Sequence, residues 1–398
     1  MKKEKNKYVL FIIFLYFFLF KDLLQRYISI IGYFDELVAL SAVPIFFIYN
    51  RNHKLCVSKN GYVRYLLIFI LMGLLGNIIY SYQSLFKVAL PDLFLCIKFW
   101  FSIYVGKIIF IDFKLSENST KIFLHIKLIT WIFFILAVID IIHGLDGAKI
   151  FYSHPTALVI NCVFIISILV SIKDYINQKE WMLYFIILLI IMCLTFRSKA
   201  FGTCTIFVSI YYIVYVKKSF KIGRKFLIII PIIIFLVKDK IVYYFFSDIQ
   251  NDSARYQLLT KSISIANDYF PVGSGFGTFA SHYSGKYYSP LYYIYNIYNV
   301  NGLREGNTTF VSDSFWPMIL AQTGWIGSIF FVIALIILFK KIYLLKTKNI
   351  SYYVSGLFII LYLLVASTAE SAFVHPLAIP LAIYLGYLIQ IGEKKYLS

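Results

Sequence analysis

The chain has 398 residues, 61% of them hydrophobic and only 14% charged, with a mean hydropathy of +0.79. Soluble domains carry about a quarter charged residues, so this composition excludes a soluble globular protein and indicates a chain embedded in a membrane from end to end. The formal charge of +19 would point to nucleic acid in a soluble protein. Here the cations sit between apolar runs, which makes them a topology signal and excludes a nucleic-acid partner.

A membrane-crossing helix needs about 20 apolar residues. The sequence divides into about twelve such runs, at 8–24, 28–50, 63–80, 88–107, 122–142, 156–172, 181–196, 200–216, 226–246, 315–339, 353–370 and 374–391. MKKEKNK runs into YVLFIIFLYFFLF with no small-residue cleavage site, which predicts a retained first span. With the N-terminus inside and sides alternating, the inner segments collect 25 of the 38 Lys and Arg residues, among them Lys2, Lys3, Arg51, Arg64, Lys217, Arg224, Lys340, Lys394 and Lys395. This asymmetry places both termini in the cytoplasm. The ninth run, KFLIIIPIIIFLVKDKIVYYFF, carries Lys238, Asp239 and Lys240, so it either ends early or lines a wet cavity in its outer third. Cys56, Cys96, Cys162, Cys193 and Cys204 are scattered, with no CxxC and no ligand cluster. They read as small apolar residues, and no metal or cofactor is expected.

The predicted fold is therefore an all-α polytopic bundle. Residues 1–246 form spans one to nine, 247–314 a large outer segment, and 315–398 the last three spans. A polar segment of that length between spans is a functional signal. Arg255, Lys261, Lys286 and Arg304 face Asp248, Asp252, Asp268, Glu305 and Asp313 there, so any anion site must be local. SARYQLLTKSISIAND (253–268) has apolar residues at helical spacing and predicts a short amphipathic helix on the outer surface. In PVGSGFGTF, Gly273, Gly275 and Gly277 permit a tight backbone and close approach by a ligand, though no strand–helix unit surrounds them to make a dinucleotide fingerprint. Seven tyrosines then fall between 283 and 298. Their mixed apolar and hydroxyl character suits the faces of a sugar and equally suits an interfacial belt.

Ionisable residues at membrane depth are costly and face a cavity or a partner. Asp35, Glu36, Asp92, Lys98, Asp140 and Glu370 lie in or at apolar runs, and Asp92 and Lys98 are candidate partners within one span. LTFRSKAF hinges two apolar runs at Arg197-Ser198-Lys199, on the outer side of this topology. It is either a plain outer-loop charge or an anion site at lipid-headgroup depth, where arginine binds phosphate bidentately and lysine adds a point charge. His154 and His282 are the outer histidines. His154 precedes Pro155 at the start of the sixth run, and His282 lies beside the glycine segment as an alternative base.

Four segments, in order, carry a resemblance: KIFYSHPTALV (149–159), LTFRSKAFGT (194–203), SARYQLL followed by PVGSGFGTF, and SDSFWPMILAQTGWIG. Their order, spacing and sidedness resemble the bacterial O-antigen polymerase and O-antigen ligase superfamily, over about residues 149 to 335. The resemblance implies a fold related to GT-C-type membrane glycosyltransferases in the bacterial inner membrane. It also implies an undecaprenyl-pyrophosphate-linked oligosaccharide as substrate, with membrane lipid and a chain-length regulator protein as partners. Counting back from Gly324 and Gly327, the position of the ligase histidine is Asp313 and that of its asparagine Ser314. This departure favours a polymerase of repeat units (O-antigen or capsule) over a ligase; a flippase of lipid-linked glycan is a third reading. By resemblance, Arg197 and Arg255 bind the donor pyrophosphate. Lys199 and Arg304 stand behind them, and Gly273, Gly275, Gly277, His154 and His282 are further substrate contacts. Asp313 is the candidate base; it is also a candidate helix cap for the tenth span.

Overall fold

A computed structural model describes residues 2–53, 61–143, 152, 154–217 and 253–393. The ninth run (226–246) and the start of the outer segment lie outside these. The described residues are helical and contain no strand. The helices are α1 (Lys2–Leu19), α2 (Lys21–Tyr27), α3 (Phe34–Leu40), α4 (Ala42–His53), α5 (Tyr62–Tyr80), α6 (Leu90–Ile109), α7 (Ser119–Ile142), α8 (Pro155–Ser171), α9 (Gln178–Cys193) and α10 (Ser198–Tyr211). The outer segment follows with α11 (Ala254–Asp268), α12 (His282–Lys286) and α13 (Leu291–Ile294), and the chain closes with α14 (Phe315–Leu344), α15 (Ile350–Ala366) and α16 (Ala378–Glu393).

Among the described residues, six helical runs are long and apolar enough to cross a membrane: Ser29–Ile48, Tyr62–Tyr80, Leu85–Ile109, Ser116–Ile142, Ser198–Val216 and Phe315–Thr347. A seventh arises if the pair Asn6–Leu19 and Lys21–Tyr27, bent by 69°, counts as one broken span. Pro155–Ser171, Ile350–Ala366 and Ala378–Glu393 are apolar but shorter. The chain is a multi-pass membrane protein.

The shorter helices form the centre. All of α8 is buried, as is nearly all of α16, so these elements are enclosed by protein and not by lipid. Close backbone approach lets them pack: a Cβ on Gly106 of α6 would lie 1.9 Å from the Ile383 carbonyl of α16. Small residues serve such crossings where lipid offers no hydrophobic drive between helices.

The charges at membrane depth are taken up internally, although not as the sequence pairs them. Lys98 does not partner Asp92. Its Nζ lies 2.9 Å from Asp35 Oδ2, and Lys21 binds the other oxygen of Asp35, all three being buried. Lys98 and Asp92 are six residues apart and face different neighbours. Asp92 Oδ2 accepts instead from the Gly277 N–H at 2.8 Å.

That bond belongs to the feature that organises the outer half. Residues Val272 to Ser281 are buried, and the glycine segment inserts into the bundle. Helix α14 breaks at Gly324 (φ 64°, ψ −174°), which frees carbonyls upstream. Ser274 N–H donates to Ala321 O and Gly275 N–H to Gln322 O, both at 2.9 Å. Phe276 N–H donates to Asn77 Oδ1 at 2.8 Å, and Asn77 Nδ2 returns a bond to Phe276 O at 2.9 Å. Non-helical backbone at such depth requires this complete pairing.

The glycines are therefore committed to protein packing, which corrects the expectation of a ligand-facing loop. A Cβ on Gly273 would meet Gly324 N at 2.3 Å, on Gly275 Asn77 N at 2.6 Å, and on Gly277 Val88 Cγ1 at 2.6 Å. Gly275 also has φ +100°. Gly275→Ala is expected to destabilise the bundle by more than about 1–3 kcal/mol, the cost of the backbone conformation alone. Gly202→Ala, whose Cβ would meet nothing within 4 Å, is the control. Unfolding midpoints in mixed detergent–SDS micelles check this; equal midpoints for the two variants would contradict the packing role.

Candidate functional site

Three separated parts of the chain converge at the N-terminal ends of α10, α11 and α14. Ser253 is the N-cap residue of α11, and Ala254, Leu258, Ser262, Ile265 and Ala266 form its buried face. Sequence periodicity foretold this helix; it packs along α14. Arg255 is its second residue. Asp313 precedes α14, whose N-cap position belongs to Ser314. Asp313 is therefore not the cap. Its Oδ2 accepts from Arg255 Nη2 at 2.9 Å.

The turn after α15 completes the cluster. Arg255 Nη2 also reaches the Ala369 carbonyl at 3.4 Å. Next in the chain, Glu370 binds Lys199 through Oε2. The turn is stitched to the start of α14: Phe315 N–H donates to Ser367 O (3.2 Å), Trp316 Nε1 to Ser367 Oγ (3.0 Å), and Ser371 Oγ to Ser312 O (2.8 Å). Arg197 is the N-cap residue of α10, two positions before Lys199, and its charge acts on Lys199 together with that of Arg255. Glu370 and Lys199 in turn act on Asp313.

Four of the residues expected from the sequence (Arg197, Lys199, Arg255 and Asp313) thus share one site. Glu370 is its fifth charged member, with three cations against two carboxylates. Burial is graded: the Arg255 and Asp313 side chains are 28% and 30% exposed, whereas Lys199 and Glu370 are 13% and 16% exposed. Such a graded cluster can take an anion from the outer surface and hold it where water is scarce.

Other expected contacts lie elsewhere. His154 caps α8, its Nδ1 accepting from Thr156 N–H at 3.3 Å. Arg304 donates from Nε to the Asn299 carbonyl at 2.7 Å, within its own loop. His282 starts α12 and sits edge-on to Tyr283; burial and then Lys286 lower its pKa. Among the tyrosines, Tyr288, Tyr292, Tyr293 and Tyr295 use their hydroxyls to hold the loop together, bonding Leu303 O, Ser284 Oγ, Glu305 and Asp268. Tyr283 and Tyr287 lie parallel, 6.4 Å apart, with Lys286 over both rings. Beside them is an outer cleft of about 470 Å³ lined by Lys286, Tyr287, Tyr288, Glu305 and Thr308. Among the described residues no group of three His, Cys, Asp or Glu side chains is placed to hold a metal.

Two members of the neighbourhood escaped the sequence reading. Glu370 was visible only as one of several charges at membrane depth. His375 is within electrostatic reach of Glu370 and Lys199, and its Nδ1 accepts from Leu377 N–H at 3.2 Å. A histidine at the start of an apolar run next to a glutamate would have been the signal.

No protein-family model, curated protein or solved structure matches this chain.

Burial raises the carboxyl of Asp313 above the ordinary aspartate range, and the charge and hydrogen bond of Arg255 only partly reverse this. Asp313 thus takes up a proton at higher pH than a solvated aspartate, and its protonation removes a negative charge facing an incoming anion. Binding of inorganic pyrophosphate is expected to be roughly threefold to tenfold weaker in the wild type than in Asp313→Asn at pH 8, converging as pH falls. Calorimetric titration of both proteins at each pH cancels the probe's own ionisation; a ratio that does not change with pH would contradict the assignment.

Proposed function

We propose that this chain polymerises lipid-linked polysaccharide repeat units at the outer face of a bacterial inner membrane, with both termini in the cytoplasm. It transfers a growing glycan from undecaprenyl pyrophosphate to a sugar hydroxyl of a second carrier-linked repeat. The observation that carries this reading is the convergence of Arg197, Lys199 and Arg255 from two distant parts of the chain, at the outer ends of helices beside a buried interior. The sequence resemblance assigns the donor pyrophosphate to this pair of arginines. The GT-C-like fold, undecaprenyl carrier and chain-length regulator belong to the same reading.

In the reaction, attack at the anomeric carbon drives electrons onto the lipid pyrophosphate. Preorganised cations stabilise that developing charge best where water is excluded. Arg197 and Arg255 serve as fork donors to phosphate oxygens, and Lys199 as a point charge. Asp313 holds the Arg255 guanidinium in place. The cleft beside Tyr287 offers aromatic faces and the Glu305 carboxylate to the glycan, while the prenyl tail remains in the bilayer.

A ligase, passing finished glycan to another acceptor, is the second reading because His375 puts an imidazole within electrostatic reach of Glu370. A glycan size ladder separates the two when carrier-linked and finally attached material are resolved. Deletion of the polymerase leaves single repeats; deletion of a ligase leaves long chains on the carrier. Arg197→Ala and Arg255→Ala are each expected to reproduce the deletion ladder with the protein still inserted. Normal chain length in both variants would remove the pyrophosphate site.

A further inference from the structure

We propose that Glu370, and not Asp313, is the base that receives the proton of the attacking sugar hydroxyl, an inference that rests on the glycosyl-transfer reading above. The two oxygens of Glu370 have different surroundings. Oε2 is held by Lys199. Oε1 is buried and has no hydrogen-bond partner among the described residues. An unsatisfied buried acceptor costs about 1–3 kcal/mol, and more when charged, so natural structures keep one where a donor arrives from outside. A hydroxyl is such a donor.

The backbone around Glu370 is set for this. Glu370 N–H donates to Ala366 O at 2.9 Å, Ala372 N–H to Glu370 O at 2.8 Å, and Ser371 Oγ fastens the turn to Ser312. With Lys199 on one oxygen, the carboxylate is oriented and the other oxygen stays available. Asp313 is likewise held through one oxygen, by Arg255, but its side chain is about twice as exposed and its proton exchange is open to water. His375 does not compete, because Leu377 N–H donates to its Nδ1 and so places the neutral ring's proton on Nε2, making that edge a donor.

The step balances without a further reactant. The acceptor O–H bond breaks and its proton passes to Glu370 Oε1. The acceptor oxygen bonds the donor's anomeric carbon as the bond from that carbon to the phosphate oxygen breaks. The electron pair leaves on the lipid pyrophosphate, which then takes the proton from Glu370. Nothing is oxidised or reduced.

The test uses full-length protein in proteoliposomes, with the carrier-linked glycan extracted from cells lacking this chain as both donor and acceptor. Glu370→Gln is expected to lower kcat by roughly 10²–10⁴-fold, the usual contribution of a positioned base. Inorganic pyrophosphate should bind it at least as tightly as wild type, since the cations are kept and a carboxylate charge is removed. Asp313→Asn, acting through Arg255, should change KM more than kcat. Near-wild-type kcat in Glu370→Gln, with Arg255→Ala inactive, overturns the role of Glu370 and leaves the polymerase reading standing. No chain extension by the wild type overturns both. If Glu370→Gln does not accumulate as folded protein, Glu370→Asp decides: shortening the side chain withdraws the carboxylate from the hydroxyl and should lower kcat, and an unchanged rate overturns the proposal.

Discussion

The packing around the charged cluster depends on the exchange of backbone hydrogen bonds between a broken helix and an inserted loop. Gly324 takes a left-handed conformation inside α14, and the helix gives up bonds that a membrane interior does not replace. The amides of Ser274 and Gly275 supply them. Asn77 of α5 and Asp92 of α6 bind the next amides along the loop, at Phe276 and Gly277. This stretch of chain is thus pinned to three helices, and a side chain at its glycines would run into neighbouring backbone at 273 and 275 and into the Val88 side chain at 277.

This anchoring sets the geometry of the charged cluster. With residues 272–281 fixed, α11 lies along α14, and Arg255 at its first turn meets Asp313 just ahead of α14. The bonds from Phe315, Trp316 and Ser371 then bring the turn after α15 alongside, and with it Glu370 and its partner Lys199. Side chains 171 residues apart in sequence meet at the membrane edge. Three cations and two carboxylates leave an excess of positive charge in a setting drier than bulk water and therefore electrostatically stronger.

Much of this was legible in the sequence, for identifiable reasons. The apolar content indicates the membrane class, and the helical spacing of the apolar residues in SARYQLLTKSISIAND indicates the amphipathic helix. Arg197, placed against the positive-inside trend, and Arg255, on a helix facing outward, stood out as cations needing a purpose. Pairings were not legible, because they depend on which helices become neighbours. Lys98 belongs to Asp35 across a gap of 63 residues, not to Asp92 one and a half turns away. Glu370 looked like any other intramembrane charge until Lys199 was seen beside it. The glycines of PVGSGFGTF signalled close approach correctly, but sequence does not say whether a ligand or a helix approaches. Breaks within apolar runs were equally hidden, as at Phe20, where the first run bends between α1 and α2.

On the polymerase proposal, the charged cluster receives a prenyl-linked pyrophosphate. The most direct measurement is photo-crosslinking of the protein in nanodiscs with a benzophenone-bearing prenyl pyrophosphate, followed by mass-spectrometric mapping of the labelled peptides. The account predicts labels in the segments holding Arg197 and Lys199, Arg255, Asp313 and Glu370, lost on competition with inorganic pyrophosphate and absent in Arg255→Ala. Labels confined to other segments, or unaffected by pyrophosphate and by Arg255→Ala, would contradict it.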